Sequence, residues 1–378
     1  MKKLKIVQTP ARFYPYIGGV ENYALALSRE LIKQDNKVKI ICAKEPNLNV
    51  ENHEGIKIDK LTYFEKIANT NITLGLPIKL LKEDFDIIHS YLPTPWSLDI
   101  SALIAKIKNK KLIITYCNDI YSKEDGFLRR IITWLYGNTF LKLNLYLADK
   151  IIIIQPNYIN YSNYLAPYRN KIIFIPPGVD INKFKKIKIR KIKNQIFFLS
   201  ILDEYHRYKG LDYLLEALKV VKIKIPNIKL IIGGKGKLLE EYKRIIEQNN
   251  LTKNVQFLGF VQDKDLIKYY NQSQIFVLPS INNKEGFGMV LTEALACEVP
   301  VISTSIVGVA EDIKSNNCGI IVQPKNSQAL ANSIIQLLKN PNLLKKMGRN
   351  GRRLISKKYS WENVASIIKK IYYGAFIQ

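Results

Sequence analysis

Short apolar runs alternate with longer amphipathic stretches along the whole chain. LKIVQTP reads as a first strand, and VENYALALSRELIKQD, directly after Gly18-Gly19, has the spacing of an amphipathic helix. VKIICAK, DIIHSYLP, KLIITYCND, ADKIIIIQ and KIIFIPPG are further strand-like runs in the first half. A second series starts at IFFLSIL. It continues through the helix LDYLLEALKVVK, the strand KLIIGGKG, the helix LLEEYKRIIEQN, the strand NVQFLGF and the stretch DLIKYYNQS. The strands IFVLPS, VPVISTS and GIIVQP follow, and three helices close the chain: SQALANSIIQLLKN, PNLLKKMGRNGRRLISK and SWENVASIIKKIYYG. Strand–helix alternation of this kind predicts parallel α/β sheets. Two such series predict two domains, with ligands at the carboxyl ends of the strands and a cleft where the two sheets face.

Between the series lies NKFKKIKIRKIKNQ, from Asn182 to Gln195, with seven Lys or Arg residues. It reads as an interdomain connection. A length of 378 residues suits two domains, and 47% hydrophobic with 24% charged residues is ordinary for a globular chain. No apolar run reaches the length of a membrane span, and MKKLKIVQTP turns into a strand rather than a signal-peptide core. The four cysteines, Cys42, Cys117, Cys297 and Cys318, have no metal-ligand spacing and read as small buried residues of a reducing compartment. The net charge of +26 calls for a negatively charged partner: nucleic acid, anionic lipid or a phosphorylated substrate. An A+T-rich genome or a hot habitat would also enrich Lys, Ile and Asn. Most of the surplus follows Asp180. From Gly126 to Leu147, Arg129, Arg130 and Lys142 mix with Trp134, Tyr136 and Phe140. That stretch is either an interfacial helix touching anionic lipid or a half-buried core helix.

The densest chemistry lies in EGFGMVLTEALA, from Glu285 to Ala296. Its glycines leave backbone N–H groups bare at a helix start, a ready anion site. Glu293 follows Glu285 by eight positions, so one carboxylate sits in the loop and the other in the helix. One element can then touch both ends of an elongated anionic ligand. Gly18-Gly19 offers a similar close approach before a helix, or a plain turn. Gly233-Gly234-Lys235-Gly236 lacks the dinucleotide spacing; it reads as a second backbone surface near a nucleotide or as a packing turn. His206, Arg207 and Lys209, in DEYHRYKG after a strand, are cations able to neutralise a diphosphate. His89 ends the DII run of another strand. Asp84-Phe85-Asp86 spells a D-x-D metal pattern but precedes its strand, the wrong end for a ligand.

Together these segments resemble the family 4 glycosyltransferases over nearly the whole chain, most densely from Phe198 to Tyr359. The E-x(7)-E pattern of Glu285 and Glu293 is the most specific element. Gly-Gly after the first strand, PPGVD, the Lys209-Gly210 turn, LIIGGKG, FLGFV, FVLPS, EALACEVPVIST and YSWENVA follow in the family's order. The resemblance implies the GT-B fold, two facing Rossmann-like domains with a cleft between them. Residues 1–178 would form an acceptor-side domain and 179–360 a nucleotide-sugar donor domain, with 361–378 a helix returning to the first. It also implies retaining transfer of a hexose from a UDP- or GDP-linked sugar, with no cofactor and no required metal. Glu293 would bond the donor ribose. Glu285, with backbone at Phe287, Gly288, Met289 and Val290, would hold the donor sugar. Lys209 and Arg207 would bind the diphosphate, with Gly18, Gly19 and Gly234 lending backbone to the donor. His89 would lie at the edge of the acceptor pocket and join the catalytic set.

Two departures stand out. Where the family often has a histidine after the strand matching LIITY, this chain has Cys117, so Asn118 or Asp119 takes over that acceptor-pocket role. The family's arginine lies about five residues before its lysine, whereas Arg207 is two residues before Lys209. The acceptor expected is a lipid-linked or other glycan, met in the cytoplasm or peripherally at the inner face of the cell membrane through an anionic surface. Alternatives are a GT-B sugar synthase with a soluble acceptor, an inactive transferase, and a basic nucleic-acid-binding protein. In the last of these the glutamate pair would have no task, so nucleic acid is not an expected partner.

Overall fold

The computed structural model describes residues 3–16, 18–67, 70–120, 127–156 and 158–376. Two compact units divide the chain: Met1–Gly178 with Trp361–Gln378, and Val179–Ser360.

The first unit holds β1 (Lys5–Thr9), β2 (Lys37–Ala43), β3 (Asn52–His53), β4 (Ile56–Leu61), β5 (Glu65–Ile67), β6 (Thr70–Ile72), β7 (Ile87–Leu92), β8 (Lys111–Tyr116), β9 (Lys150–Ile153) and β10 (Ile172–Phe174). Eight of them form one sheet in the order β10-β9-β8-β7-β1-β2-β4-β3, with β5 and β6 apart as an antiparallel pair. Only β3 runs antiparallel in the main sheet. A parallel sheet is buried on both faces, and the period of two sends alternate residues to each. Ile6, Ile40, Ile58, Ile87 and Ile113 point into one core, against the helix Gly19–Lys33 and the helix Trp361–Gly374. Val7, Ile41, Ile88 and Ile114 point into the other, against the helices Leu76–Lys82, Pro95–Ile107 and Lys142–Leu147. The last helix of the chain thus belongs to the first sheet, where Val364, Ala365, Ile368 and Tyr372 are buried.

The second unit holds β11 (Gln195–Leu199), β12 (Lys229–Gly233), β13 (Val255–Gly259), β14 (Ile275–Leu278), β15 (Val301–Thr304) and β16 (Gly319–Val322). All pairs are parallel, in the order β13-β12-β11-β14-β15-β16. That is the doubly wound Rossmann order, whose switch point falls between β11 and β14. Each strand predicted from an apolar run is present. Unforeseen were β3 to β6, including the alternating IKIDKL of β4. The basic stretch Asn182–Gln195 is not a free connection. It belongs to the second unit, where Ile187 N donates to Asn271 Oδ1 at 3.0 Å and Lys191 Nζ to the Ser273 carbonyl at 2.8 Å.

Candidate active site

The switch point of the second sheet gathers residues from two loops. After β11 the chain makes a tight helical turn, Glu204–Lys209, capped by Asp203, whose carboxylate accepts from His206 N at 2.8 Å and lies 2.7 Å from His206 Nδ1. Gly210 ends the turn at φ +80, where a Cβ would come 2.0 Å from the Pro279 carbonyl oxygen. Only glycine lets the two loops lie this close. Ile281 N bonds the Tyr208 carbonyl at 2.8 Å and joins the turn to the segment after β14. Lys209 is thereby aimed at Glu285. Its Nζ donates to Glu285 Oε2 at 3.2 Å, and Ser280 Oγ donates to the same oxygen at 3.0 Å. Both side chains are largely out of water, 17% and 7% exposed.

Past Glu285, Gly308 N bonds the Gly286 carbonyl at 3.0 Å and Val309 N the Phe287 carbonyl at 3.3 Å. Phe287 is buried edge-on against Tyr359. Gly288 then turns at φ +84 into the helix Met289–Ala296. No side chain caps this helix, and first-turn amides have no acceptor within it, so the start at Met289 and Val290 offers donors to an anion. Glu293 is half-buried and accepts from Tyr270 Oη at 3.0 Å, a bond shared with the Val290 carbonyl at 3.2 Å. Burial first, and then the Glu293 carboxylate, push the Tyr270 phenol well above its ordinary range, so it stays a donor.

The structure brings Lys209, Glu285 and the Gly288 helix start together. Arg207 is engaged by Glu241 at 2.8 Å and by Asp212 and Glu204 at 3.3 Å each. Its guanidinium is paired with three neighbouring carboxylates. Gly234, at φ +128, is demanded by packing: a Cβ would come 1.7 Å from the Ser200 carbonyl oxygen. The Gly234 turn is fixed against the end of β11 and presents no open backbone on that side.

In the first unit, Gly18 is extended and caps the helix Gly19–Lys33 without a side chain. A Cβ on Gly19 would meet nothing within 4 Å. His89 is not at a pocket edge. It is fully buried, with Nδ1 2.6 Å from Tyr372 Oη and Nε2 2.6 Å from Thr115 Oγ1. Burial holds its pKa down at about 3, so it is a neutral pin between β7, β8 and the last helix. Cys117 is buried, and burial with the Glu21 carboxylate nearby pushes its thiol up to about 12. Asn118 is exposed and accepts from Tyr158 Oη at 2.9 Å. Asp119 accepts from Tyr116 Oη and from Ser162 Oγ, the latter at 2.8 Å, while burial raises its carboxyl. Asp84 and Asp86 are both used by Lys5, the first by its side chain and the second by its amide.

Residues 17–183 match the Glycosyltransferase Family 4 family, and residues 180–354 match Glycosyl transferases group 1. The chain belongs to the group 1, family 4 glycosyltransferases. An uncharacterized glycosyltransferase of Methanocaldococcus jannaschii is 26% identical over 371 residues, covering 97% of each chain. The O-antigen chain mannosyltransferase C of Escherichia coli is 27% identical over 382 residues, covering 98% of each. The Anabaena protein HepE, solved in complex with UDP, superposes with a TM-score of 0.74 at 18% identity, covering 98% of this chain and 100% of that one. These relatives establish a glycosyltransferase enzyme, and the solved structure shares its GT-B fold.

Ser280 and Tyr270 were missed by sequence reasoning. Ser280 ends FVLPS five residues before Glu285, a position that could have been noted. Tyr270 carried no local signal, since its contact with Glu293 is made only by the packing of two helices. The candidate interfacial stretch is helical from Phe127 to Leu147 with a wide turn at Gly137–Leu141. Its start at Gly126 and the side chain of Arg129 lie outside the described residues. Thr133, Leu141 and Leu145 face inward, while Ile132, Trp134, Leu135, Phe140, Leu143 and Tyr146 are each more than half exposed.

Proposed function

We propose that this glycosyltransferase moves a hexose, with retention, from a UDP- or GDP-linked sugar to a lipid-linked or other membrane-associated glycan. The observation that carries the reading is the Lys209–Glu285–Ser280 constellation beside the uncapped helix start at Gly288, at the switch point of a Rossmann sheet. Cleavage of the bond between the anomeric carbon and the phosphate oxygen leaves negative charge on the β-phosphate. Lys209 Nζ and the amides at Met289 and Val290 stabilise that charge in a site with little water, so no divalent ion is required. Glu285 orients the sugar hydroxyls, and Glu293 holds the ribose. The anomeric carbon becomes cation-like, as in glycoside hydrolysis. The acceptor oxygen attacks on the face the phosphate leaves, and the departing phosphate takes the acceptor proton. Neither glutamate then acts as a nucleophile.

Peripheral attachment at the cytoplasmic membrane face is part of the proposal. The exposed Trp134, Phe140 and Tyr146 with Arg130 and Lys142 have the make-up of an interfacial helix. Among the described residues no helix is long and apolar enough to cross a membrane.

The test is release of nucleoside diphosphate from a panel of UDP-, GDP- and ADP-sugars, with chelator, with and without anionic liposomes carrying a lipid acceptor extract. Turnover of one donor in chelator, raised by lipid, is the expected result. Turnover indifferent to lipid would point to a soluble acceptor. No turnover and no nucleotide binding would overturn the donor-site reading.

A further inference from the structure

The Glu285 loop is held by an aromatic side chain from the far end of the second unit. Phe287 stands midway between Glu285 and the helix start at Met289, and it is 4% exposed. Its ring lies edge-on to Tyr359, with centroids 5.3 Å apart. Gly308 also closes in: a Cβ there would come 3.1 Å from Phe287 Cα and 3.2 Å from its Cδ2. The amides of Gly308 and Val309 bond the Gly286 and Phe287 carbonyls. The ring and backbone of Phe287 are thus fixed by two separate segments.

Tyr359 is fully buried. It ends a wide helical turn, Ile355–Tyr359, that follows the helix Pro341–Leu354. Turns of this kind, with bonds from i to i+5, are rare and recur at functional sites. Tyr359 Oη donates to Asp312 Oδ2, and Lys358 Nζ donates to Oδ1 of the same carboxylate at 2.6 Å. Burial first, and then the Asp312 bond, hold the phenol above its ordinary range, so it remains the donor. Asp312 belongs to the helix Ala310–Ser315, which starts directly after Val309. It therefore ties Tyr359 to the segment whose amides hold Gly286 and Phe287. The Tyr359 carbonyl accepts from Val179 N at 2.7 Å, and Val179 bridges to Ser360, where the chain enters and leaves the unit.

We propose that Tyr359 is a positioning residue for glycosyl transfer: its ring keeps Phe287, and through it the Glu285 carboxylate, in the geometry that holds the donor sugar. The proposal rests on the donor-site reading above. Phe287 is two residues from Glu285, so a shift of its ring is passed along the backbone to that carboxylate. The helix Met289–Ala296 is anchored independently by Leu291, Ala294 and Leu295, each 0% exposed. The loss on removing the ring then falls on the sugar and not on the nucleotide. A displacement of about 1 Å at a reacting centre is enough to cost about 100-fold in rate.

The experiment is steady-state kinetics with the nucleotide sugar that the wild type turns over, beside calorimetry of the matching nucleoside diphosphate. The variants are Tyr359→Leu, Tyr359→Phe, Phe287→Leu and the double substitution Tyr359→Leu with Phe287→Leu. Tyr359→Leu should lower kcat about tenfold or more, with nucleoside diphosphate affinity close to that of the wild type. Tyr359→Phe keeps the ring and loses the Asp312 bond; it should melt at a lower temperature yet retain most of kcat. Phe287→Leu opens the same contact from the other side, should match the kcat loss, and carries the test if Tyr359→Leu does not fold. The double variant should lose no more than the worse single, because one contact can be lost only once. Losses that multiply, a Tyr359→Phe enzyme as impaired as Tyr359→Leu, or wild-type kcat in Tyr359→Leu or Phe287→Leu would overturn the proposal while leaving the donor site in place. A wild type that neither binds nucleotide nor turns over a nucleotide sugar would remove the donor-site reading and this inference with it.

Discussion

The carboxyl edges of the two sheets are built on opposite plans. In the second unit the edge is closed up: Gly210, Gly234 and Gly236 each lie against a backbone carbonyl, and Lys209, Arg207 and Glu285 all have partners. In the first unit a Cβ on Gly19 would meet nothing within 4 Å, Arg12 meets Glu21 and Glu45 only at 3.6 and 3.7 Å, and Lys60 Nζ is buried without a bond. A nucleoside diphosphate is the constant part of a glycosyl donor, so its site gains from being fixed in advance.

The largest effect expected on this contrast is at Lys209. Lys209→Ala removes the cation at the leaving group and strands a buried carboxylate, and turnover should fall about 100- to 1000-fold, the range for one lost charge-stabilising donor. Arg207→Gln, three residues from the turn's start, should cost stability under about 1 kcal/mol, as part-exposed ion pairs do, with turnover little changed. Equal losses in steady-state assays of the two variants would restore Arg207 to the diphosphate and break the distinction.

The glycines come next. Gly210→Ala combines a left-handed backbone with a Cβ 2.0 Å from the Pro279 oxygen. Chemical denaturation should show a loss of about 2–5 kcal/mol from strain and overpacking together. Gly19→Ala, in open space at a helix start, should leave stability equal or up to about 1 kcal/mol higher. A destabilised Gly19→Ala protein would show that the first edge is packed and not open.

The His89 effect vanishes at neutral pH and grows only as the pH falls. Its folded pKa of about 3 lies below the ordinary 6.5, so between those values the unfolded chain takes a proton that the folded protein refuses. Stability is therefore lost as pH falls from 6.5 toward 3, with a slope approaching about 1.4 kcal/mol per pH unit from this group. His89→Gln should lower stability at neutral pH yet remove that contribution to the slope, and leave nucleotide affinity where it was. An unchanged pH profile in the variant would put the proton elsewhere.

Most of the architecture could be read from the chain because parallel sheets bury both faces, so strands such as KLIITY and IFVLPS stand out as apolar runs. The alternating IKIDKL of β4 was passed over because half of its residues are polar. The Glu285 loop was legible through its glycines, whose spacing serves local backbone geometry. The burial of His89 and the ion pairs of Arg207 were not legible for the opposite reason. His89 is fixed by Tyr372, 283 residues later, and Arg207 by Glu241, 34 residues later. No local pattern announces such partners. The basic stretch before β11 carried the charge of a linker, but its backbone and lysines are held by Asn271 and Ser273, residues of a helix end far along the chain.

The central claim is that Glu285 positions the sugar, while its partner Lys209 and the helix start at Met289 grip the phosphate. The most direct measurement is paired: turnover and nucleoside diphosphate affinity of Glu285→Gln beside wild type. Glutamine keeps the shape and can still accept from Ser280, but it loses the charge that meets Lys209. The account predicts most of the turnover gone with nucleotide affinity preserved. Full turnover in Glu285→Gln would contradict it and take Glu285 out of the site.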